Sequence, residues 1–193
     1  MPAPTATDSP TAFDAIIIGA GAAGLFCAAQ AGQLGLNVLL IDHAEKVAEK
    51  IRISGGGRCN FTNRDLDVRA PHKHYVGQNP QFCRSALSRY TPADFIALMD
   101  KHGIPYEEKH KGQLFATTSA EDIIRMLLAE CADGGVTRWQ PCAVKKVVFL
   151  PSNADTSSAG SYEVHTDRGV VHAPRLVLAT GGLSIPKIGA TDF

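Results

Sequence analysis

Residues 14–42, DAIIIGAGAAGLFCAAQAGQLGLNVLLID, decide the fold of this chain. The two ends of this stretch, residues 14–18 (DAIII) and 37–41 (NVLLI), are short and almost wholly apolar. Such runs are typical of parallel strands that are covered on both faces. The alanine-rich stretch between them, residues 22–34, predicts a helix that ends near Gly35. The segment is therefore a strand–helix–strand unit of a parallel sheet.

Gly19, Gly21 and Gly24 form a GxGxxG pattern where the first strand meets the helix. In dinucleotide-binding folds the first glycine permits a tight turn, the second lets the backbone approach a pyrophosphate, and the third permits close helix–strand packing. Asp42 ends the second strand at the spacing expected of a carboxylate that binds ribose hydroxyls. The alternative is a tight turn without a ligand, but the full context favours a bound dinucleotide.

Two later features favour FAD over NAD. Residues 54–63 (SGGGRCNFTN) combine three consecutive glycines with Arg58, which suits a second contact with a phosphate or ribose, although a merely flexible loop is the alternative. Residues 179–182 (ATGG) end a strand at 175–179, after three predicted antiparallel strands at 142–150, 161–166 and 169–173. FAD proteins of the glutathione-reductase type have such a meander and ATG turn, and NAD-only Rossmann domains lack both. The sequence therefore predicts an α/β, Rossmann-like FAD-binding domain of that type, with a parallel sheet, helices and a three-stranded antiparallel meander.

The middle of the chain carries fewer signals. Residues 45–78 predict a long functional loop, and the charged run at 107–111 (EEKHK) predicts a surface turn. Three helices are predicted to begin at Asn79-Pro80, Thr91-Pro92 and Ser119. Each carries apolar residues at helical spacing, which we interpret as core stripes; in the first helix these are Phe82, Cys83, Ala86 and Leu87.

Composition excludes several classes of protein. Nineteen basic residues balance nineteen acidic ones, so we expect no nucleic-acid partner. The uncharged stretch from Ala15 to Ile41 is broken by glycines and amides, so we expect no membrane span. The cysteines are odd in number, which makes a reducing cytoplasm the expected location. The five cysteines form no CxxC pair, and His72 and His74 have no clustered partner ligand. We therefore expect neither disulfides nor a metal site. Residues 1–12 predict a disordered leader.

Residues 54–63 together with 181–193 (GGLSIPKIGATDF) resemble the BaiN-like bacterial flavoprotein family. Its members are also described as NAD(P)/FAD-dependent oxidoreductases or as the aminoacetone oxidase family. The resemblance covers nearly all of residues 13–193. It implies that these residues are the N-terminal part of an FAD-binding domain, truncated before its last strand. The inserted second domain and the final FAD-binding segment would then be absent.

The resemblance also implies a set of cofactor-binding residues. The three glycines of the fingerprint would hold the pyrophosphate and Asp42 the adenosine ribose. Val144 would present its backbone to the adenine, and we interpret Cys59 as a packed residue rather than a redox thiol. The full set of expected FAD-binding residues is Gly19, Ala20, Gly21, Ala22, Ala23, Gly24, Asp42, His43, Lys50, Ser54, Gly55, Gly56, Gly57, Arg58, Cys59, Asn60, Val144, Ala179, Thr180, Gly181 and Gly182.

The function expected from these observations is that of an FAD-dependent oxidoreductase. It would transfer hydride through the flavin, with NAD(P)H as a candidate transient electron donor and a small-molecule substrate that the sequence does not identify. No residue is assigned as a catalytic acid or base. Two alternatives stay open: a truncated, non-catalytic flavin-binding module, and an FAD-dependent tRNA-modifying protein, which the neutral charge disfavours.

Overall fold

The computed structural model describes residues 13–152 and 160–182. They divide into two compact units. The first unit contains the described residues up to Glu49 and from Leu127 onward, and the second unit is Lys50–Met126. The predicted leader and residues 183–193, which carried part of the family resemblance, lie outside the described residues.

The chain forms the following elements. The strands are β1 (Ala15–Ile18), β2 (Val38–Ile41), β3 (Asn60–Asn63), β4 (Tyr106–Glu108), β5 (Gln113–Ala116), β6 (Thr137–Trp139), β7 (Val144–Leu150), β8 (Ser161–Thr166), β9 (Gly169–Ala173) and β10 (Leu176–Leu178). The helices are α1 (Ala22–Gln33), α2 (Glu49–Ile53), α3 (Arg84–Arg89), α4 (Pro92–Lys101) and α5 (Ala120–Asp133).

A four-stranded parallel sheet is the centre of the first unit. Its strand order is β10-β1-β2-β6, and Ile16 of β1 lies between Leu176 of β10 and Leu39 of β2. The predicted strand–helix–strand unit is therefore confirmed as β1, α1 and β2. Strand β6 was not predicted, because its three residues, Thr137–Trp139, carry no apolar run.

The two faces of this sheet bury different partners. The predicted meander is confirmed as the antiparallel sheet β7-β8-β9, and it packs on one face. The buried side chains of that contact are Phe13, Ile16, Leu39, Ile41, Cys142, Val164, Val171 and Ala173. Because side chains alternate along a strand, Ile17 and Leu40 point to the opposite face, where α1 contacts β1 and β2.

The end of α5 supports α1 within the first unit. The Gln33 side-chain amide donates to a carboxylate oxygen of Glu130 at 2.7 Å and to its backbone oxygen at 3.0 Å. The buried Cys131 thiol donates to the Leu25 carbonyl at 3.3 Å. The first of the Gln33 hydrogen bonds gives a partner to the carboxylate of Glu130, which is buried, and the second gives one to its backbone oxygen.

The second unit contains a sheet that we did not predict. Its antiparallel strand order is β3-β5-β4, so part of the predicted loop at 45–78 forms α2 and β3. The predicted surface turn at 107–111 is also wrong in part, because Glu107 and Glu108 pair with Phe115 and Leu114 of β5. These strands have no strong apolar alternation. Strands β4 and β5 pair as a local hairpin, whereas β3 pairs with β5 through the distant residues Asn63 and Gln113.

The first predicted helix of this unit is shorter than expected. Helix α3 begins at Arg84, and Phe82, placed in a core stripe by the sequence, is 85% exposed. No residue of α3 is buried, so a helical spacing of apolar residues does not mark a buried face here. The starts of the other two helices are confirmed at Pro92 and Ala120.

The caps of α4 and α5 differ from each other. In α4, the Asp94 carboxylate accepts from the Thr91 backbone N–H at 2.7 Å, and the Thr91 hydroxyl accepts from the Asp94 N–H at 3.4 Å. These reciprocal bonds are a capping box. In α5, Ser119 caps the Glu121 N–H at 3.1 Å, but Asp122 pairs with Thr118 instead of closing a box.

None of the helices in the described ranges is both long and apolar enough to cross a membrane. The finding concerns residues 13–152 and 160–182 alone.

The capping box of α4 should make stability depend on pH. Hydrogen bonds from Thr91 lower the pKa of the Asp94 carboxyl. A lowered folded-state pKa contributes stability above the unfolded pKa of about 4 and loses it as pH falls. We therefore expect Asp94→Asn to lower the melting temperature at pH 7 and to differ less from the native chain near pH 3. Asp100→Asn, an exposed change in the same helix, is the control and should show no such loss.

Candidate cofactor-binding site

Two glycines of the fingerprint are required by the packing of the protein itself. Gly19 has a φ of +107°, and a Cβ there would lie 2.5 Å from the Ala179 carbonyl oxygen. A Cβ on Gly24 would lie 1.7 Å from the Gly19 carbonyl oxygen. Backbone atoms are therefore in direct contact where β1 meets the first turn of α1 and the end of β10, and no side chain fits between them.

Gly21 has neither of these constraints. Its φ is −82°, which any residue adopts, and a Cβ there would meet nothing within 4 Å. Gly21 is also the N-cap of α1, and no side chain caps this helix. The first N–H groups of a helix have no intrahelical partner, and they bind anions well. Open space above Gly21 thus fits a phosphate group that lies against the backbone.

Asp42 holds the glycine-containing turn. Its Oδ2 accepts from the Ala20 N–H at 2.5 Å, and its Oδ1 accepts from the Ala44 N–H at 2.8 Å. The carboxylate side chain is 14% exposed, whereas the neighbouring His43 side chain is 82% exposed. Each carboxylate oxygen can accept a second hydrogen bond, and the ribose role of Asp42 stays a prediction. The sequence analysis missed the backbone contacts, because a GxGxxG pattern does not say what supports the turn.

The end of β10 lies beside the same turn. The Ala179 N–H donates to the Ile18 carbonyl at 2.8 Å, which continues the parallel pairing of β10 with β1. Thr180, Gly181 and Gly182 follow and are exposed. Cys142 N–H donates to the Asp42 carbonyl at 2.7 Å, so Val144, two residues further on, starts β7 close to the end of β2. The first unit therefore brings the glycine turn and Asp42, from its N-terminal segment, close to Val144 and Ala179, from its C-terminal segment.

The glycine-rich loop of the second unit is folded and not merely a flexible connection. Gly55, Gly56 and Gly57 all have positive φ values, and the Cys59 N–H donates to the Ser54 carbonyl at 2.9 Å. The Ala116 N–H donates to the Arg58 carbonyl at 3.0 Å, which ties the loop to β5. The loop thus presents a defined backbone.

Side chains of this loop differ in what they offer a ligand. The Arg58 guanidinium donates to a Glu107 carboxylate oxygen at 2.6 Å, so part of its charge is already paired. Burial raises the pKa of the Cys59 thiol to about 11, which fits a packed thiol better than a redox thiolate. Asn60 begins β3 and is exposed, and Lys50 lies half-buried on α2.

In the part of the chain that the structure describes, no group of three or more His, Cys, Asp or Glu side chains could hold a metal ion. The cysteines described are all free thiols.

The glycines should separate folding from cofactor binding. Gly24→Ala forces a Cβ against backbone and should destabilise the fold by roughly 3 kcal/mol. Gly21→Ala meets nothing and should change the free energy of unfolding by less than about 1 kcal/mol, while it reduces binding of a dinucleotide. Thermal unfolding and FAD titration measure the two effects. A Gly21→Ala variant that fails to fold, or that folds and binds FAD like the native chain, would contradict our interpretation of the open space.

Asp42 should affect stability as well as binding. Asp42→Ala removes the acceptor of two backbone N–H groups, and loss of a charged hydrogen bond costs about 1.5–3 kcal/mol. We expect a lower melting temperature even without cofactor, and weaker FAD retention. His43→Ala is the matched control, because its side chain is exposed, and it should leave the melting temperature unchanged. A purely ribose-binding Asp42 would leave the cofactor-free melting temperature unaltered.

Comparison with known proteins identifies the family. The chain matches the HI0933-like protein Rossmann domain family over residues 13–193. It is 49% identical over 181 residues to the ribosomal RNA dihydrouridine synthase of Escherichia coli (strain K12), which covers 94% of this chain and 42% of the relative. A protein of the same name from Haemophilus influenzae is 44% identical over 178 residues, 92% of this chain and 42% of the relative.

More distant relatives agree on the fold. The 3-dehydro-bile acid delta(4,6)-reductase of Clostridium scindens is 24% identical and covers 90% of this chain and 40% of the relative. The solved structure of 3-ketosteroid-delta4-(5alpha)-dehydrogenase from Rhodococcus jostii RHA1 aligns with a TM-score of 0.63 at 15% identity, over 92% of this chain and 47% of the other. At that identity the likeness concerns the fold alone.

These findings support the resemblance at the level of the wider HI0933-like family, and not for BaiN-like proteins specifically. The relatives from Escherichia coli and Haemophilus influenzae, which match more than nine-tenths of this chain at 49% and 44% identity, carry the ribosomal RNA dihydrouridine synthase name, and the chain spans less than half of their length. The α/β Rossmann-like fold of FAD-binding flavoproteins, with its parallel sheet, is confirmed. The chain belongs to the HI0933-like Rossmann-domain family.

Proposed function

We propose that this chain is the FAD-binding part of a flavin-dependent oxidoreductase. The observation that carries the proposal is Gly21, where neither backbone strain nor packing requires a glycine, at the uncapped start of α1. A pyrophosphate lying there would accept hydrogen bonds from the helix N-terminus and would be stabilised by the helix dipole. Asp42 positions the turn and would still offer lone pairs to a ribose.

The remaining expected residues would contact other parts of the cofactor. Val144 would face the adenine with its backbone, and Ala179–Gly182 would lie near the isoalloxazine side. Ser54–Asn60 would present backbone amides and the partly paired Arg58 side chain. When bound, the flavin supplies two-electron hydride chemistry, and the protein binds it, orients it and excludes water.

For the substrate we propose a uridine in ribosomal RNA. The support is 49% and 44% identity to two proteins named ribosomal RNA dihydrouridine synthase. Dihydrouridine differs from uridine by two hydrogens added across the C5–C6 double bond of the ring. A hydride from the reduced cofactor and a proton together supply these two hydrogens. We propose NAD(P)H as the donor that returns the two electrons to the cofactor.

This proposal revises one expectation from the sequence. An RNA-modifying flavoprotein was the disfavoured alternative there, and transfer RNA was its expected substrate. Ribosomal RNA replaces transfer RNA because both relatives with substantial identity are named for it. The expectation of no nucleic-acid partner rested only on the balanced charge of the whole chain.

The first experiment tests the cofactor. The purified chain is incubated with FAD, freed of unbound cofactor, and scanned for the two absorbance bands of bound flavin. We expect a yellow protein, and a colourless one that also fails to take up added FAD would overturn the proposal. Gly21→Ala serves as the matched variant, because it should fold and yet lose colour.

The second experiment tests the reaction. Anaerobic NADPH or NADH should bleach the flavin of a protein that uses a pyridine nucleotide. Addition of unmodified ribosomal RNA should then restore the yellow colour. The mass of the RNA should rise by two hydrogens for each uridine that is reduced. Bleaching without an RNA product would agree with a flavin-dependent oxidoreductase and would contradict ribosomal RNA as its substrate. Yellow protein that neither nucleotide bleaches would favour the non-catalytic flavin-binding module.

A further inference from the structure

The balanced charge of the chain hides an uneven distribution. The second unit, Lys50–Met126, holds twelve Lys or Arg against eight Asp or Glu. The rest of the chain holds seven against eleven. Within the second unit the excess is concentrated between Arg64 and Thr91, where five basic residues face two acidic ones. A neutral total therefore does not exclude a polyanionic partner for this unit.

A cavity lies in the same part of the second unit. Its volume is about 440 Å³, within the range of small-molecule pockets. Aromatic side chains dominate its lining, and two of them, Phe61 and Phe95, stack with ring centroids 5.6 Å apart. Tyr75, another lining residue, is 43% exposed. An exposed ring beside a cavity is a surface on which a nucleobase can stack.

Polar groups in the lining suit the edge of a pyrimidine. The Asp67 N–H donates to His74 Nε2 at 3.1 Å, so in the neutral imidazole the proton is on Nδ1. His74 can therefore donate to a carbonyl oxygen. The Thr62 hydroxyl, which also lines the cavity, can donate or accept. Uracil presents two carbonyl acceptors and one N–H donor, which these groups can satisfy.

Three arginines near the cavity have no carboxylate partner among the residues described. Arg84 and Arg89 are exposed on α3, the helix that contributes Leu87 to the lining. Arg69 is exposed between the lining residues Leu66 and His74. Arginine binds phosphate with a planar fork of donors.

The other two basic side chains of this region are already paired. Arg64 lies 3.0 Å from a Glu108 carboxylate oxygen, and Lys73 lies 3.6 Å from one of Asp67. In this region the described cations without a carboxylate partner are therefore three arginines, and each lies within three residues of a residue that lines the cavity.

We propose that this cavity and its three arginines form a binding surface for single-stranded RNA. An unstacked pyrimidine lies against Tyr75, and the flanking phosphates contact Arg69, Arg84 and Arg89. The inference rests on the proposed function for its RNA partner, and adds where that RNA is held. Charge complementarity selects RNA over an apolar partner, because the segment from Arg64 to Thr91, which supplies much of the lining, has an excess of basic residues.

The test measures binding of a short, fluorescently labelled, uridine-rich single-stranded RNA to the full chain by fluorescence anisotropy, at several salt concentrations. Loss of one base–aromatic stack should weaken binding about tenfold in Tyr75→Ala, and Tyr75→Phe should bind like the native chain. Arg84→Ala and Arg89→Ala should each reduce the slope of log affinity against log salt by about 0.7.

Matched controls lie in the first unit. Lys145→Ala removes an exposed cation, and Phe149→Ala removes an exposed ring; neither should change RNA affinity beyond twofold. No binding by the native chain, or equal losses in the controls and in the variants of the second unit, would overturn the inference. Flavin retention is measured separately in every variant. A yellow protein that binds no RNA would reject the RNA surface alone, and a colourless protein would reject the proposed cofactor.

Discussion

The first unit depends on one close contact between backbone atoms, that of Gly24 against the carbonyl oxygen of Gly19. It lets α1 start within a few residues of the end of β1 and pack directly on the sheet. The same turn receives Ala179, whose N–H pairs with Ile18, so the edge strand β10 is aligned by the same atoms. A side chain at either glycine would separate the strand from the helix, and with them the uncapped helix end that faces open space.

Asp42 couples this turn to the rest of the sheet. Its side chain accepts from Ala20, and its backbone pairs with Trp139 and Cys142, so it ties the turn, β2 and the entry to the meander together. A carboxylate in this position therefore acts before any ligand arrives, since it sets the direction of the N–H groups of the turn. Preorganised donors bind an anion with less loss of conformational entropy than donors that must first be ordered.

The sequence was informative where structure follows from backbone geometry. The turn at Gly19 and the apolar runs of β1 and β2 are local signals, so the parallel unit could be predicted correctly. Strand β4 has the sequence YEE, which carries no such signal, and it forms only because β5 pairs with it. The prediction that Phe82 is buried was wrong for a related reason. The spacing of apolar residues indicates which side chains share a helix face, but not whether another element covers that face.

Charge is used differently in the two units. No Lys or Arg occurs between Ala15 and Ile41, so this stretch itself would bind a phosphate at the start of α1 through amide groups and the helix dipole. Such a site needs no net positive charge, and a count over the whole chain carries no information about it. The basic excess of the chain lies in the second unit, where one of the basic residues, Arg58, is partly paired with Glu107. Among the residues described, Arg69, Arg84 and Arg89 of the second unit have no carboxylate partner, and they are the cations that we propose for a second polyanion.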